Sequence, residues 1–217
     1  MKRYRAVVFD WDGTLMDSTG HIVSALQGAC TDLGLAVPTA EAASWVIGLS
    51  IENALYRLVP DLNEQEMAAF VNRYRERFLA QDRGLRLFPG LEIFLRGLHA
   101  RGMVLGVATG KTRRGLDRAL DALSLQEVFR ATRCADEAAG KPDPAMLEQL
   151  LIEFDLEPFE VIMVGDTTHD VLMARNAGVD SLAVSYGAHP RQVLGAAEPT
   201  ALVSTVADMQ SWLLART

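Results

Sequence analysis

The chain has 217 residues, and 49% of them are hydrophobic, which is enough to bury a sizeable core and argues against disorder. Its formal net charge is −7 without any block of basic residues, which disfavours nucleic-acid binding. No stretch approaches the roughly 18–20 apolar residues that a membrane span needs, and the start does not resemble a signal peptide. Cys30 and Cys134 lack metal-type spacing. We therefore expect a cytoplasmic protein without a nucleic-acid or membrane partner.

A buried strand is predicted over residues 4–9, and two acids follow it directly. Asp10 and Asp12 stand one residue apart, next to Gly13. Two carboxylates this close repel each other, so a fold retains them when a cation or a shared proton offsets the repulsion. The pair therefore predicts a metal-dependent site at the carboxyl end of the first strand.

Helical patterns occupy the next segment of the chain, from about residue 16 to about residue 84. They predict helices over residues 21–35, 39–47, 52–58 and 64–80. The last helix carries an apolar stripe at spacings of three and four, which is typical of a core-facing side. The stripe consists of Met67, Phe70, Val71, Tyr74 and Phe78. We expect a small all-helical unit, residues 16–83, inserted after the first strand.

Strands and helices alternate after this insertion. The predicted strands cover residues 104–108, 128–132, 161–164, 181–184 and 201–203. The predicted helices cover residues 90–100, 116–123, 145–154, 167–177 and 206–214. This alternation is typical of a parallel, doubly wound sheet. The predicted fold class is therefore α/β, Rossmann-like, with a core of residues 1–15 and 84–217.

The remaining notable polar residues fall at the carboxyl ends of the predicted strands, where open parallel sheets bind ligands. Thr109 follows the second strand, Asp166 and Asp170 follow the fourth, and Lys141 lies in a loop at the same edge. Oxygen ligands without His or Cys suit Mg²⁺ rather than Zn²⁺.

A phosphate would find several donors at this edge. Lys141 offers a positive charge, Thr109 a hydroxyl group, and the backbone N–H groups near Trp11 and Gly110 further hydrogen bonds. An aspartate facing the phosphorus atom of such a phosphate predicts phosphoryl transfer through an aspartyl-phosphate.

Four segments resemble, in order and spacing, the four motifs of the haloacid dehalogenase superfamily. They are Asp10-Trp11-Asp12-Gly13-Thr14-Leu15, Thr109, Lys141-Pro142 and Gly165-Asp166-Thr167-Thr168-His169-Asp170. The helical insertion resembles the mobile cap of the phosphoglycolate phosphatase-like branch. By this resemblance, hinges are expected near residues 16–19 and 82–87.

The resemblance implies a role for each motif residue. Asp10 would be the nucleophile, and Asp12 would protonate the leaving oxygen and then activate water. Thr109 and Lys141 would hold the phosphoryl group, together with the backbone near Trp11 and Gly110. The implied Mg²⁺ ligands are Asp10, Asp12 through its main-chain carbonyl, Asp166 and Asp170, the last of which binds the metal or orients its shell.

Some residues near the motifs leave alternatives open. Gly110 stands where this branch often has Asn, and it serves the turn or marks a lost side-chain contact. Lys111, Arg113 and Arg114 are interpreted mainly as a solvated helix face, with contact to an anionic substrate as the alternative. His169 is interpreted as structural.

Trp45 and Leu49 lie near a glycine that interrupts the helical pattern. They belong either to the core of the helical unit or to a patch that sets substrate specificity.

The leading functional prediction is a Mg²⁺-dependent phosphatase of a small phosphorylated metabolite. Phosphoglycolate and nucleotide or sugar monophosphates are the candidate substrates. Asp12 favours phosphate esters over halides, because a departing halide needs no acid. The alternatives are a phosphomutase similar to β-phosphoglucomutase and a non-enzymatic module that binds phosphate on an aspartate. The sequence does not indicate an oligomeric state.

Overall fold

The computed structural model describes residues 3–81 and 86–217. Within these residues, one parallel sheet has the strand order β3-β2-β1-β4-β5-β6. Its strands are β1 (Ala6–Phe9), β2 (Val104–Thr109), β3 (Ala131–Cys134), β4 (Val161–Gly165), β5 (Asp180–Val184) and β6 (Ala201–Val203). The predicted fold class is confirmed.

Among the described residues, the helices fall into two groups, four in the helical segment that follows β1 and six in the part where strands and helices alternate. The first group is α1 (Thr19–Asp32), α2 (Ala40–Trp45), α3 (Ile51–Leu58) and α4 (Glu64–Gln81). The second is α5 (Leu91–Ala100), α6 (Arg113–Leu123), α7 (Ala145–Phe154), α8 (Thr168–Asn176), α9 (Arg191–Ala196) and α10 (Val206–Leu214). In the described ranges, no helix has the length and apolar character required to cross a membrane.

The first strand lies at the centre of the sheet, hydrogen-bonded to β2 on one side and β4 on the other. Its four side chains are fully buried, which explains the continuous apolar run in the sequence. Val7 and Phe9 pack in a cluster with α5, α6 and α10, whereas Ala6 and Val8 pack with α7 and α8 on the opposite face. Helices on both faces make this a doubly wound sheet.

We call α1–α4 the helical unit. It has a hydrophobic cluster of its own, in which Leu55 and Phe70 are fully buried. Phe70, Val71 and Phe78 of the predicted stripe belong to this cluster, and Met67 and Tyr74 pack against it, so the interpretation as a core-facing stripe is confirmed.

The two connections of the helical unit were predicted near residues 16–19 and 82–87. Met16 forms an isolated bridge with Leu87, which brings the two chain segments side by side. Residues 82–85, which include the predicted boundary at residue 84, lie outside the described part of the chain. The division into a core and a cap therefore stays a prediction.

The largest differences from the sequence prediction concern β3 and α9. The third strand was predicted over residues 128–132 but lies at Ala131–Cys134, because Val128 ends a single 3₁₀ turn. Val128 is nevertheless buried, which explains why it has the apolar character of a strand residue. Helix α9 was not predicted, because its six residues show no helical period and it lacks the N-terminal side-chain cap that Thr39 gives to the equally short α2.

Candidate active site

The strands β1, β2 and β4 end at the same edge of the sheet and position most of the predicted site residues. Phe9 pairs with Val107 and with Val164, so the residues after these three strands are neighbours. Asp10 follows β1, Thr109 ends β2, and Asp166 follows β4. The predicted polar site residues are buried together at this edge, namely Asp10, Asp12, Thr109, Lys141, Asp166 and Asp170.

Three carboxylates form the centre of the site. Asp10, Asp166 and Asp170 each offer one oxygen, and these oxygens lie within 4.8 Å of one another. Thr14 Oγ1 donates to Asp166 Oδ1 at 2.9 Å, and the Ala188 N–H donates to Asp166 Oδ2 at 2.6 Å. These hydrogen bonds fix one carboxylate of the group in place.

Asp170 is fixed by the local structure of α8. It occupies the first turn of the helix, where its Oδ2 accepts hydrogen bonds from the Thr167 N–H and the Thr167 hydroxyl at 3.0 and 2.7 Å. The Thr167 side chain in turn accepts from the Asp170 N–H, which completes a capping box. The other oxygen, Oδ1, remains available for the centre of the site.

Lys141 binds two of the three acids. Its Nζ lies 2.7 Å from Asp10 Oδ1 and 2.6 Å from Asp170 Oδ1, and its side chain is fully buried. Burial disfavours the ammonium charge, but Asp10 and Asp170 outweigh this effect and raise the pKa of Lys141 above its usual range. The lysine therefore stays charged, and one positive charge faces three carboxyl groups.

Lys141 alone does not neutralise the three acids. Burial, together with Asp170 and Asp12, raises the pKa of Asp10 to about 7 despite Lys141. Burial and the charges of Asp10 and Asp170 raise the pKa of Asp166 well above its usual value. Asp10 Oδ2 is buried with no hydrogen-bond partner among the described residues. Three carboxylates, one of which has an unpartnered oxygen, fit a hard divalent cation such as Mg²⁺.

The turn that follows β1 requires a glycine at position 13. Gly13 has a φ of 82°, and a Cβ atom there would overlap the Asp166 side chain. The turn after β1 can therefore bring its backbone against the Asp166 carboxylate only because residue 13 has no side chain.

Asp12 points away from the three acids. Its carboxylate accepts hydrogen bonds from the Ser18 hydroxyl at 2.7 Å and from Lys111 Nζ at 2.8 and 2.9 Å. The side chain of Asp12 is therefore separate from the three-carboxylate group. A contribution to a metal site would have to come from the main-chain carbonyl of Asp12, as the family resemblance implies.

Lys111 corrects the interpretation of residues 111–114 as a solvated face. Its side chain is only 13% exposed, pairs with Asp12 and lies over the Phe78 ring, 4.9 Å from the centroid. Arg113 instead binds Glu137 on the core surface, and Arg114 is exposed at the edge of a cavity. The spacing of Lys111, Arg113 and Arg114 in the sequence does not show which of them is buried. The direction of each side chain depends on how α6 and the residues before it pack against the helical unit.

Gly110 is explained by a close approach of two backbones. A Cβ atom at this position would lie 2.6 Å from the Gly48 carbonyl oxygen and 2.5 Å from that of Leu49. The backbone of Gly110 does not have a positive φ, so the turn itself does not demand glycine. The sequence interpretation offered the turn or a lost side-chain contact, and the structure adds an explanation that it did not include, namely that the backbone of Gly48 and Leu49 occupies the place of a side chain at residue 110.

Trp11 contributes a core side chain. Its ring is fully buried and meets Phe129 edge to face, with centroids 6.2 Å apart. The predicted role of Trp11 in phosphate binding therefore concerns only its backbone N–H. Thr109 is buried at the same edge, and its Oγ1 accepts a hydrogen bond from the Lys111 N–H at 3.2 Å.

A second contact joins the helical unit to the core at Trp45. The Trp45 carbonyl oxygen lies 3.1 Å from Nε2 of His169 and 3.1 Å from Nε2 of His189. His189 Nδ1 accepts from the Thr168 N–H, so a neutral His189 carries its proton on Nε2 and donates to the carbonyl. The indole ring also stacks on His189 at 4.5 Å. His169 is structural, as predicted, whereas His189 was missed.

This contact predicts a loss of stability in acid. Burial lowers the pKa of His169 from 6.5 to about 4 and also lowers the pKa of His189. A histidine whose pKa is lower in the folded state stabilises the protein above its unfolded pKa, and this contribution is lost as the pH falls towards the folded pKa. We expect the contribution of His169 to the free energy of unfolding of metal-free protein to fall by on the order of 2 kcal/mol between pH 6.5 and 4. The raised pKa of Asp10 acts in the opposite direction over this range, so the difference between the unchanged protein and a His169 variant isolates the histidine.

Urea unfolding at pH 7 and pH 4.5 measures this change. In His169→Gln the pH-dependent loss should be smaller than in the unchanged protein, and His99→Gln, at an exposed position, serves as the control. An equal loss in both variants would contradict the assignment.

A cavity of about 420 Å³ lies between the sheet edge and the helical unit. Asp10, Asp12 and Thr109 form part of its lining from the core, and residues of α1, α3 and α4 line it from the helical unit. The sheet edge therefore presents a buried acid group, a lysine and a substrate-sized space together. These features fit an enzyme site with carboxylate ligands for a cation and space for an anionic substrate.

Comparison with known proteins agrees with this class. The sequence model of the family described as "Haloacid dehalogenase-like hydrolase" matches residues 7–184, and the chain belongs to this family. "Probable phosphatase IndB" of Dickeya dadantii is 36% identical over 209 residues, which cover 94% of this chain and 90% of that protein. A phosphoglycolate phosphatase of Photorhabdus laumondii is 29% identical and covers 97% and 93%.

A solved hydrolase structure from Pseudomonas syringae matches with a TM-score of 0.88 at 20% identity, covering 98% of each chain, which shows a shared fold. The predicted family is thus confirmed, and so is the enzyme class, a phosphoric monoester hydrolase.

Proposed function

We propose that this enzyme is a Mg²⁺-dependent phosphatase of a small phosphorylated metabolite that works through an aspartyl-phosphate on Asp10. The observation that carries the proposal is the buried group of Asp10, Asp166 and Asp170 with Lys141 bound to two of them. The names of the relatives support phosphate esters, with phosphoglycolate or a nucleotide or sugar monophosphate as candidate substrates.

Asp10, Asp166 and Asp170 would hold Mg²⁺. The bound cation would supply the positive charge that lets a carboxylate and a phosphate approach each other. Lys141 fixes the Asp10 carboxylate through Oδ1, so the nucleophile has one orientation before the substrate arrives. Thr109 and the backbone N–H groups near Trp11 and Gly110 would bind the phosphoryl oxygens.

Asp12 would transfer the protons of both steps. In the first step it would donate a proton to the leaving oxygen, and in the second it would accept one from the water that attacks the phosphoenzyme. Its separation from the three acids suits this role, since the nucleophile must stay charged while the proton donor must become neutral. Ser18 orients the carboxylate through its 2.7 Å hydrogen bond.

Lys111 is a further residue in this scheme. An ion-paired carboxylate has no proton to donate, so Lys111 must release Asp12 when the substrate binds. The oxygens of the incoming phosphate ester are the anionic partner that can take over the ammonium group. We therefore propose that Lys111 moves from Asp12 to the substrate at the start of each turnover.

Replacing Lys111 by Met should lower kcat/KM for a phosphate ester by about 10- to 100-fold, which is the effect of one lost charged hydrogen bond. Steady-state kinetics test this, with Lys111→Arg as the variant that keeps the charge. Arg101→Met is the control, because Arg101 is exposed and precedes β2 at the opposite edge of the sheet. A Lys111→Met enzyme with unchanged kcat/KM would show that the ion pair has no part in turnover.

Removal of the metal tests the proposed function as a whole. Treatment of the enzyme with EDTA should lower the rate of phosphate release from p-nitrophenyl phosphate by at least about 100-fold, and added Mg²⁺ should restore the rate. Mg²⁺ at 100 times its dissociation constant should also stabilise the fold by about 2.7 kcal/mol, or roughly 5–10 °C in Tm.

Two results would count against the proposal. Full activity in EDTA would contradict the metal requirement, and phosphate retained on a sugar without release would favour the phosphomutase. The Tm increase should disappear in Asp170→Asn, since that variant lacks one of the three metal-binding acids.

A further inference from the structure

The cavity above Asp10 is larger than phosphoglycolate. That molecule has about nine non-hydrogen atoms, which fill about 270 Å³ even at the roughly 30 Å³ that a water molecule takes in the liquid. The cavity of about 420 Å³ would therefore stay partly empty around it. Sites of roughly 300–1,000 Å³ usually hold metabolites or ligands of drug size.

The wall opposite the catalytic acids is apolar. The side chains that the helical unit presents to the cavity include Ile22, Leu26, Ile47, Leu49, Ile51 and Phe78. Such a wall offers no hydrogen bond to a leaving group rich in hydroxyl groups, and polar groups that lose water without a new partner cost free energy. The wall therefore favours a leaving group with an apolar face.

Polar contacts on this side of the cavity are few. Tyr74, on α4, is a polar side chain that the helical unit contributes to the cavity lining. Burial raises the pKa of Tyr74 above its usual value, so its hydroxyl stays protonated and can donate one hydrogen bond. Arg75 and Arg114 are exposed at the edge of the cavity, outside the apolar wall.

We infer that the natural substrate is a phosphate monoester whose leaving group is a largely apolar alcohol, larger than glycolate and about the size of one aromatic ring with its linker. Its apolar face packs on Leu26, Leu49 and Phe78, and one polar atom meets the Tyr74 hydroxyl. This inference rests on the proposed function, because the cavity selects a leaving group only when the phosphoryl group is bound at Asp10.

A pair of alkyl phosphates isolates the contribution of the apolar wall to substrate preference. Ethyl phosphate and 2-phenylethyl phosphate leave as similar primary alcohols, so they differ mainly in the ring that the apolar wall would contact. We expect kcat/KM for 2-phenylethyl phosphate to exceed the values for ethyl phosphate and for phosphoglycolate by at least about 10-fold, as one buried apolar group allows. Equal values, or a preference for phosphoglycolate, would overturn the inference.

A variant inside the cavity gives a second, independent test. Ala54 is buried in the cavity wall on α3, and Ala54→Leu adds bulk where the ring would lie. The ratio of kcat/KM for 2-phenylethyl phosphate over ethyl phosphate should fall at least about 10-fold in Ala54→Leu. Ala42→Leu makes the same change at an exposed position of α2 and should leave the ratio unchanged.

The outcomes separate the inference from the proposed function. No Mg²⁺-dependent release of phosphate from either ester would contradict the proposed function. Release from both without a preference for the ring would leave that function intact and contradict the inference alone. If Ala54→Leu does not fold, as judged by its Tm, the comparison of the substrates with the unchanged enzyme still tests the inference.

Discussion

Replacing Asp10 by Asn is expected to lower kcat for phosphate release by about 10⁴-fold or more. An amide of the same size keeps the shape of the site but cannot attack phosphorus. One carboxylate oxygen of Asp10 contacts Lys141, and the other is buried without a partner among the described residues. Lys141 therefore orients the carboxylate and leaves its second oxygen free to attack. Steady-state release of p-nitrophenol measures the loss.

The loss in Asp10→Asn should not come from unfolding. Burial and neighbouring acids raise the pKa of Asp10 to about 7, which means that its charge destabilises the metal-free protein at neutral pH and above. Removal of this charge should leave the Tm of metal-free protein equal or higher. Asp61→Asn, at an exposed position outside the site, is the matched control. Activity above about 1% in a folded Asp10→Asn enzyme would refute the nucleophile assignment.

Replacing Asp12 by Asn is expected to lower turnover by about 10²- to 10⁴-fold, the range for a lost general acid and base. The loss in kcat/KM, which reports the first step, should be larger for alkyl phosphates than for p-nitrophenyl phosphate, because p-nitrophenolate leaves without a proton. With the aryl ester the first step should therefore continue while the second is slow. A burst of p-nitrophenol in proportion to the enzyme should be seen by stopped-flow absorbance.

Ser18→Ala is the companion variant for Asp12. It removes one hydrogen bond to the carboxylate and keeps the acid itself, so it should cost about 10-fold or less. The same loss of kcat/KM on alkyl and aryl esters in Asp12→Asn, without a burst of p-nitrophenol, would contradict a role in proton transfer. It would favour a role of Asp12 in holding the local structure around Lys111.

Much of the fold and the centre of the site could be predicted because they depend on local patterns. The first strand is buried on both faces, so it reads as a continuous apolar run followed by acids. In a parallel sheet the carboxyl ends of neighbouring strands meet, so Asp10, Thr109 and Asp166 had to be close once the strands were assigned.

The contacts between the helical unit and the core could not be predicted. Trp45 meets His189 across 144 residues, and Lys111 lies over the ring of Phe78 in α4. No period or motif encodes such pairs, because they depend on how two packed units approach each other. The need for glycine at position 110 could not be predicted for the same reason, because it arises from the close approach of the Gly48 backbone.

The configuration at phosphorus tests the central claim, a covalent intermediate on Asp10, most directly. A phosphate ester made chiral with oxygen isotopes can be cleaved by the unchanged enzyme in the presence of Mg²⁺, with the phosphoryl group transferred to an alcohol acceptor for stereochemical analysis. Two successive in-line displacements, first by Asp10 and then by the acceptor, predict retention of configuration. Inversion would mean one direct displacement and would contradict the aspartyl-phosphate.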